Sequence, residues 1–195
     1  RPGYAQTGWS KNADGSAKGY ELDASYMADA ALTLYPYWTA NTYTVSYSLN
    51  SGTHGSTHPT SATYDTAFSV SAPSRAGYTF TGWTVTSGLS TSTAKWGTTS
   101  SPSTAISSST AKCVNGATGA VYFKNLTPTA SGSVTLTANW NLIPTYAVTY
   151  APGTYGTGAQ QSATKTQGIS LTLKGATFTR TGYTQTGWSK NASGS

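Results

Sequence analysis

The sequence predicts a mainly β protein, α+β at most, arranged as tandem copies of one small unit. Three observations lead there. The stretch Arg75-Ala76-Gly77-Tyr78-Thr79-Phe80-Thr81-Gly82-Trp83 recurs at residues 1–9 and 180–188, with Arg, both glycines, Tyr, Thr and Trp in the same places. Residues 43–49 and 134–138 alternate apolar and polar side chains, the period of a strand with one buried face. Aromatics make up 12% of the chain, with six Trp and fourteen Tyr. That is too much large apolar surface for a disordered polar tract, despite the Ser/Thr richness.

The repeated stretch organises the rest. Its glycines Gly3, Gly77 and Gly182 lie 74 (77 − 3) and 105 (182 − 77) residues apart. Two further anchors recur. Leu32-Thr33-Leu34-Tyr35-Pro36-Tyr37-Trp38 aligns with Val134-Thr135-Leu136-Thr137-Ala138-Asn139-Trp140, and Tyr43-Thr44-Val45-Ser46-Tyr47 aligns with Tyr146-Ala147-Val148-Thr149-Tyr150. The order is an opening strand, the motif strand, a closing strand ending in Trp, and a short linker. Residues 1–42 then form the C-terminal half of one repeat, 43–142 a complete repeat, and 143–195 the N-terminal half of the next. The complete repeat carries an insertion within 86–133. Residues 1–16 and 180–195 differ at three positions only, so the chain is expected to be a window on a longer array. The linkers 39–42 and 141–145 are short, which predicts an elongated, semi-stiff string.

Within the complete repeat, 43–49 is the opening strand and Asn50-Ser51-Gly52 a turn. The polar span 52–63 is read as a loop. Residues 67–70 make a short strand closed by Pro73. Gly77 is expected at a positive φ at strand entry. Tyr78, Phe80 and Gly82 are expected on one strand face, with Trp83 beginning the other. Gly82 marks a bulge or a ring packed on backbone. Residues 120–126 give the insertion a strand. Leu22, Tyr26 and Ala30, spaced by four, offer at most one or two helical turns in 22–31.

Taken together these anchors resemble the Listeria–Bacteroides repeat family of bacterial surface and secreted proteins, also known as the internalin B repeat. The residues that carry the resemblance are the opening Tyr43-Thr44-Val45-Ser46-Tyr47, the Asn50-Ser51-Gly52 turn, Pro73 with the motif, and the closing Leu136-Thr137-Ala138-Asn139-Trp140. The insertion lies outside it, and the family's Asn-Gly-Gly turn is reduced here to Asn50-Ser51-Gly52. The resemblance implies small β-grasp (ubiquitin-like) units in tandem, in a secreted or surface protein such as an adhesin or its stalk. It brings no catalytic residues.

Composition excludes several other classes. Charged residues are 8%, against about 25% in average chains. Ser, Thr, Asn and Gly must therefore solvate the surface, which suits an extracellular setting. The net charge is +6, but Lys and Arg are scattered, with no basic stripe for nucleic acid. No apolar run is long enough to span a membrane. Cys113 is alone, cannot form an internal disulfide, and is read as a buried small apolar residue. The carboxylates are Asp14, Glu21, Asp23, Asp29 and Asp65, and only Asp65 lies in the complete repeat. A glycosidase pair is not available there. No catalytic, metal or cofactor residues are expected.

Gly3, Tyr4, Gly8, Trp9, Trp38, Gly77, Tyr78, Gly82, Trp83, Trp140, Gly182, Tyr183, Gly187 and Trp188 are assigned to the structural core. Trp96, outside the repeated pattern, is a candidate contact residue. His54 and His58 are placed in a solvated loop by Gly55 and Pro59. Asp14 lies in a turn with only a faint likeness to a calcium loop. Thr66, Asn125 and Asn191 sit in short glycosylation patterns. The function expected is structural: neighbouring copies or repeats complete one another end to end, by strand complementation or in a filament. The alternative is an adhesin module that binds a glycan or protein through the insertion.

Overall fold

The structure, a computed structural model, describes residues 1–193. It is all β, with no helix among those residues. The strands are β1 (Tyr4–Ser10), β2 (Tyr35–Ala40), β3 (Thr42–Ser48), β4 (Ser61–Thr63), β5 (Phe68–Val70), β6 (Tyr78–Ser87), β7 (Lys95–Gly97), β8 (Thr104–Ala105), β9 (Val121–Lys124), β10 (Ser133–Leu142), β11 (Thr145–Tyr150) and β12 (Gln161–Thr166). The chain forms two compact units, Arg1–Asn141 and Leu142–Ser195.

The first unit holds three sheets. The main one has the order β4-β3-β10-β6. Its central pair, β3 and β10, is parallel, with Val45 opposite Val134 and Tyr47 opposite Leu136. Thus the opening and closing strands of segment 43–142 lie side by side. β4 extends the sheet antiparallel to β3, so the polar span 52–63 ends in a strand. A second sheet has the order β5-β9-β7-β8. It joins the short strand before the motif to three strands of the insertion. β1 and β2 form an antiparallel pair, with an irregularity between Gln6 and Gly8.

Both larger sheets face one core. Tyr43 and Val45 of β3, Phe80, Trp83 and Val85 of β6, and Val134, Leu136 and Ala138 of β10 meet Val70, Val121 and Phe123 of the second sheet. The insertion adds Ala94, Ile106, Cys113 and Leu126, all fully buried. It is not an appendage: a cluster this size needs its apolar surface.

Two local expectations are corrected. Residues 22–31 are not helical. Leu22, Tyr26 and Met27 are exposed, so a helix there would have no surface on which to bury its stripe. On β6, Phe80 and Trp83 do not take opposite faces; their rings meet at 5.4 Å in the core. Gly82 sits between them at φ +125° and shifts the alternation by one residue, so Phe80, Trp83 and Val85 all point inward.

The second unit contains the β11–β12 hairpin, Tyr146 opposite Lys165 and Val148 opposite Ala163. The third copy of the motif forms no strand there.

Candidate functional site

Each motif copy begins with the same turn. The N–H of Tyr4, Tyr78 and Tyr183 donates to the carbonyl of Arg1, Arg75 and Arg180 at 3.1, 3.2 and 3.0 Å. Gly3, Gly77 and Gly182 hold φ of +76°, +77° and +79° at the third position. A type II turn demands a positive φ there and favours Pro one place earlier, where Pro2 stands. The Arg guanidinium then lies over the Tyr ring, at 3.7, 3.7 and 3.8 Å from its centre. Such stacking contributes roughly 0.5–1 kcal/mol at exposed sites. The clasp is local, so it forms even where the motif is not a strand.

The Gly-Trp end works differently. Trp83 and Cys113 exchange backbone hydrogen bonds of 2.9 and 2.8 Å, and Trp9 and Tyr20 do so at 2.8 and 3.0 Å. In both copies the chain that returns after the motif lies against the motif strand at its Trp. The preceding glycine makes room. A Cβ at Gly82 would stand 3.0 Å from the Cys113 carbonyl oxygen, and one at Gly8 2.5 Å from that of Tyr20.

Trp83 is fully buried. Its indole Nε1 and the Thr81 hydroxyl have no hydrogen-bond partner. Trp140 is partly buried, packs on Phe80 at 5.6 Å and donates Nε1–H to the Leu49 carbonyl at 3.0 Å. Trp9 and Trp38 are half-buried. Trp188 is half-buried too, 4.7 Å from Tyr150, and donates Nε1–H to the Lys174 carbonyl at 2.6 Å. Gly187 has open space beside it, and Tyr183 is exposed.

The most built polar site lies where residues 1–42 meet 43–141. Asn41 donates its backbone N–H to the Gly3 carbonyl and accepts from Tyr64 N–H, both at 2.8 Å. Its side chain donates to the Pro128 carbonyl at 2.8 Å. Gly3 presses on the Tyr64 ring so closely that a Cβ would come within 2.3 Å of it. Tyr4 meets Tyr64 edge to face at 5.8 Å, and its hydroxyl donates a short hydrogen bond to Asp65. Asn125 brackets Asp65, donating Nδ2–H to its carboxylate at 3.0 Å and accepting its backbone N–H at 2.6 Å. Lys124 stands 3.4 Å from the carboxylate.

These contacts set the local electrostatics. Asp65 is held below its ordinary carboxylate value, chiefly by the Tyr4 hydroxyl and then by Asn125. The Tyr4 phenol is raised, chiefly by its bond to Asp65. Sequence reasoning missed this junction. Its one visible signal was Asp65, the sole carboxylate in 43–142.

The other candidates are scattered. Trp96 on β7 is half-buried, opposite Phe123, and packs against the core. His54 and His58 stack at 4.2 Å beside Tyr47, and His58 Nδ1 lies 3.0 Å from the Gly55 carbonyl. Cys113 is buried, and burial pushes its thiol up to about 12. Asp14 accepts the Ser16 N–H, and Glu21 pairs with Lys18 at 2.7 Å. Thr66 is exposed beside the junction, Asn125 is half-buried within it, and Asn191 is exposed. Among the described residues no helix is long and apolar enough to cross a membrane. A surface cavity of about 420 Å³ in the second unit is lined by Tyr155, Phe178, Arg180, Tyr183, Gln185 and Trp188 among others.

Comparison with known proteins bears on this arrangement. The profile of the Listeria-Bacteroides repeat domain matches residues 1–36, 43–119 and 146–195. A stretch of 85 residues is 38% identical to part of a protein described as a Gly-rich membrane protein from Evansella cellulosilytica. That match covers 43% of this chain and 10% of the relative, so the chain spans a small part of its length. No solved structure matches the chain.

Proposed function

The chain belongs to the Listeria-Bacteroides repeat domain family, and from that premise we propose that it is a non-catalytic structural segment of an extracellular bacterial repeat protein, an adhesin stalk or a filament-forming surface protein. The observation that carries the reading is the junction of Gly3, Tyr4 and Asn41 with Tyr64, Asp65 and Pro128. It ties one motif copy to the next segment by main-chain hydrogen bonds, a ring contact and a hydrogen bond to a carboxylate, as a stalk that must resist bending requires. Charge-assisted bonds of this kind contribute roughly 1.5–3 kcal/mol when shielded, and less where water reaches them. The relative's description as a membrane protein is in keeping with a place at the bacterial envelope.

Each motif copy with its opening and closing strands is, in this reading, one β-grasp unit in a tandem array. The sheet order β4-β3-β10-β6 supports it, because first and last strands run parallel at the centre. The insertion spends its apolar residues on the core. That favours a structural role over a contact surface built from the insertion alone.

Glycan-array and cell-binding measurements on the whole chain test the proposal. No saturable binding is expected. Saturable binding that disappears with Trp96→Ala would replace this reading with the adhesin one.

A further inference from the structure

The loop between β3 and β4 brings two imidazoles face to face. His54 and His58 stack with ring centres 4.2 Å apart and planes 17° apart. Planes so nearly parallel keep the in-plane nitrogen lone pairs from converging on one cation, so the pair suits protons rather than a metal. Tyr47 of β3 meets both rings edge to face, at 5.1 and 6.3 Å. Tyr47 also meets Trp83 at 5.8 Å. Trp83 in turn meets Phe80, and Phe80 meets Trp140. The histidines thus stand at the end of a row of rings that runs into the core.

The loop that carries them is pinned from several sides. Thr53 and Ser74 exchange backbone hydrogen bonds of 2.8 and 3.0 Å, and the Ser71 N–H donates to the Thr57 carbonyl at 2.8 Å. The Tyr47 hydroxyl donates to the Pro59 carbonyl at 2.8 Å. A Cβ at Gly55 would come within 2.5 Å of the Ala72 carbonyl oxygen, so the loop is pressed onto residues 71–72. His58 Nδ1–H donates to the Gly55 carbonyl at 3.0 Å, which leaves Nε2 to take up a further proton.

Positive charge on this pair has no acid to meet within segment 43–142. Asp65 is the sole carboxylate there, and Tyr4, Asn125 and Lys124 hold it. Apart from the two histidines, residues 50–60 contain no ionisable side chain, and neither do β4 and β10. β3 supplies Tyr47, while its Tyr43 is buried in the core. The segment 71–75 ends in Arg75, whose guanidinium lies over the Tyr78 ring. The His54 imidazole is held below its ordinary value, by burial and then by His58.

We infer that the His54–His58 stack is an acid-sensitive latch, which holds residues 53–58 over Tyr47 while the rings are neutral and releases them once both carry a proton. Two unit charges about 4 Å apart disfavour the closed loop by a factor of roughly five even in water. With its lowered value, His54 contributes stability that is fully present above the unfolded value of about 6.5 and is lost as pH falls through the lower folded value. Release uncovers the Tyr47 ring and leaves the sheet beneath intact, because β3 keeps its pairing with β10. The latch is separate from the structural role above, whose contacts lie at Gly3, Tyr4, Tyr64 and Asp65.

Hydrogen exchange of the whole chain at pH 7 and pH 5, corrected for intrinsic rates, tests it. The Ser71 amide should lose protection roughly fivefold at pH 5, while the Trp83 amide should not change. His54→Phe keeps a ring in the stack without a charge and should hold Ser71 protected at both pH values. In a proton magnetic resonance titration the His54 midpoint should lie below about 6.5 and rise in His58→Gln. Both histidines are exposed, so both variants should fold. Equal Ser71 protection at both pH values in the native chain, an equal loss in His54→Phe, or a His54 midpoint unmoved by His58→Gln would overturn the proposal.

Discussion

Tyr4 and Asp65, 61 positions apart, share a short hydrogen bond that fastens the first motif copy to the following segment. The bond needs a carboxylate acceptor and a protonated phenol, so acid and alkali weaken it from opposite sides. Asp65 has a lowered value in the folded chain. Its contribution is therefore fully present above the unfolded carboxylate value of about 3.9 and is lost as pH falls through the lower folded value. Tyr4 has a raised value, so its contribution is present below about 10 and is lost as pH rises through the folded value. Thermal unfolding from pH 7 down to pH 2 should cost the native chain more stability than Tyr4→Phe, which already lacks the bond. Equal losses would show that Asp65 is not stabilised through Tyr4.

Equivalent glycines should respond unequally. Gly77→Ala places a Cβ in open space, so only the positive φ opposes it, a cost of roughly 1–2 kcal/mol. Gly3→Ala has the same φ and also drives a Cβ into the Tyr64 ring. It should cost about 1–3 kcal/mol more and should expose residues 1–42 to limited proteolysis. Denaturant titration of both variants decides this.

Gly82→Ala should destabilise the main core although it adds one methyl group. Its φ of +125° is rarely open to other residues, and the Cys113 carbonyl lies 3.0 Å from the new Cβ. The expected cost is about 1–3 kcal/mol. Hydrogen exchange at the Trp83 and Cys113 amides, which hold the returning chain, should accelerate together.

Cys113 should resist thiol reagents until the first unit unfolds. Burial pushes its thiol up to about 12, so almost no thiolate exists at neutral pH. Labelling with a chromogenic disulfide should track the unfolding of unit Arg1–Asn141. Prompt labelling of the native chain would mean that the insertion opens independently.

Much of this fold was legible in the sequence because alternation is a local property. The strands near 43–48, 68–70, 121–124 and 134–142 follow from it, and Gly77 was expected at its positive φ. Contacts between distant residues were not legible. The phase shift at Gly82 depends on where Trp83 finds room. The burial of Ile106, Cys113 and Phe123 depends on the insertion folding back over the main sheet. Residues 22–31 have a helical spacing but no surface to pack against. The third motif shares Arg, both glycines, Tyr, Thr and Trp with the second yet forms no strand, and polar Gln185 stands where Phe80 fills the core. As for the site, the repeated turn could be read from Arg-x-Gly-Tyr, but the junction required knowing that Tyr64 and Asp65 face Gly3 and Tyr4.

The central claim is that the first motif copy and segment 43–141 behave as one stiff body through the Gly3–Tyr64 and Tyr4–Asp65 contacts. Pulsed electron spin resonance tests it most directly. Labels placed by Ala5→Cys and Thr129→Cys, both at exposed positions, leave the buried Cys113 unlabelled. A single narrow distance distribution is predicted, broadened when Gly3→Ala is added. A broad distribution in the otherwise native chain, unchanged by Gly3→Ala, would contradict the account.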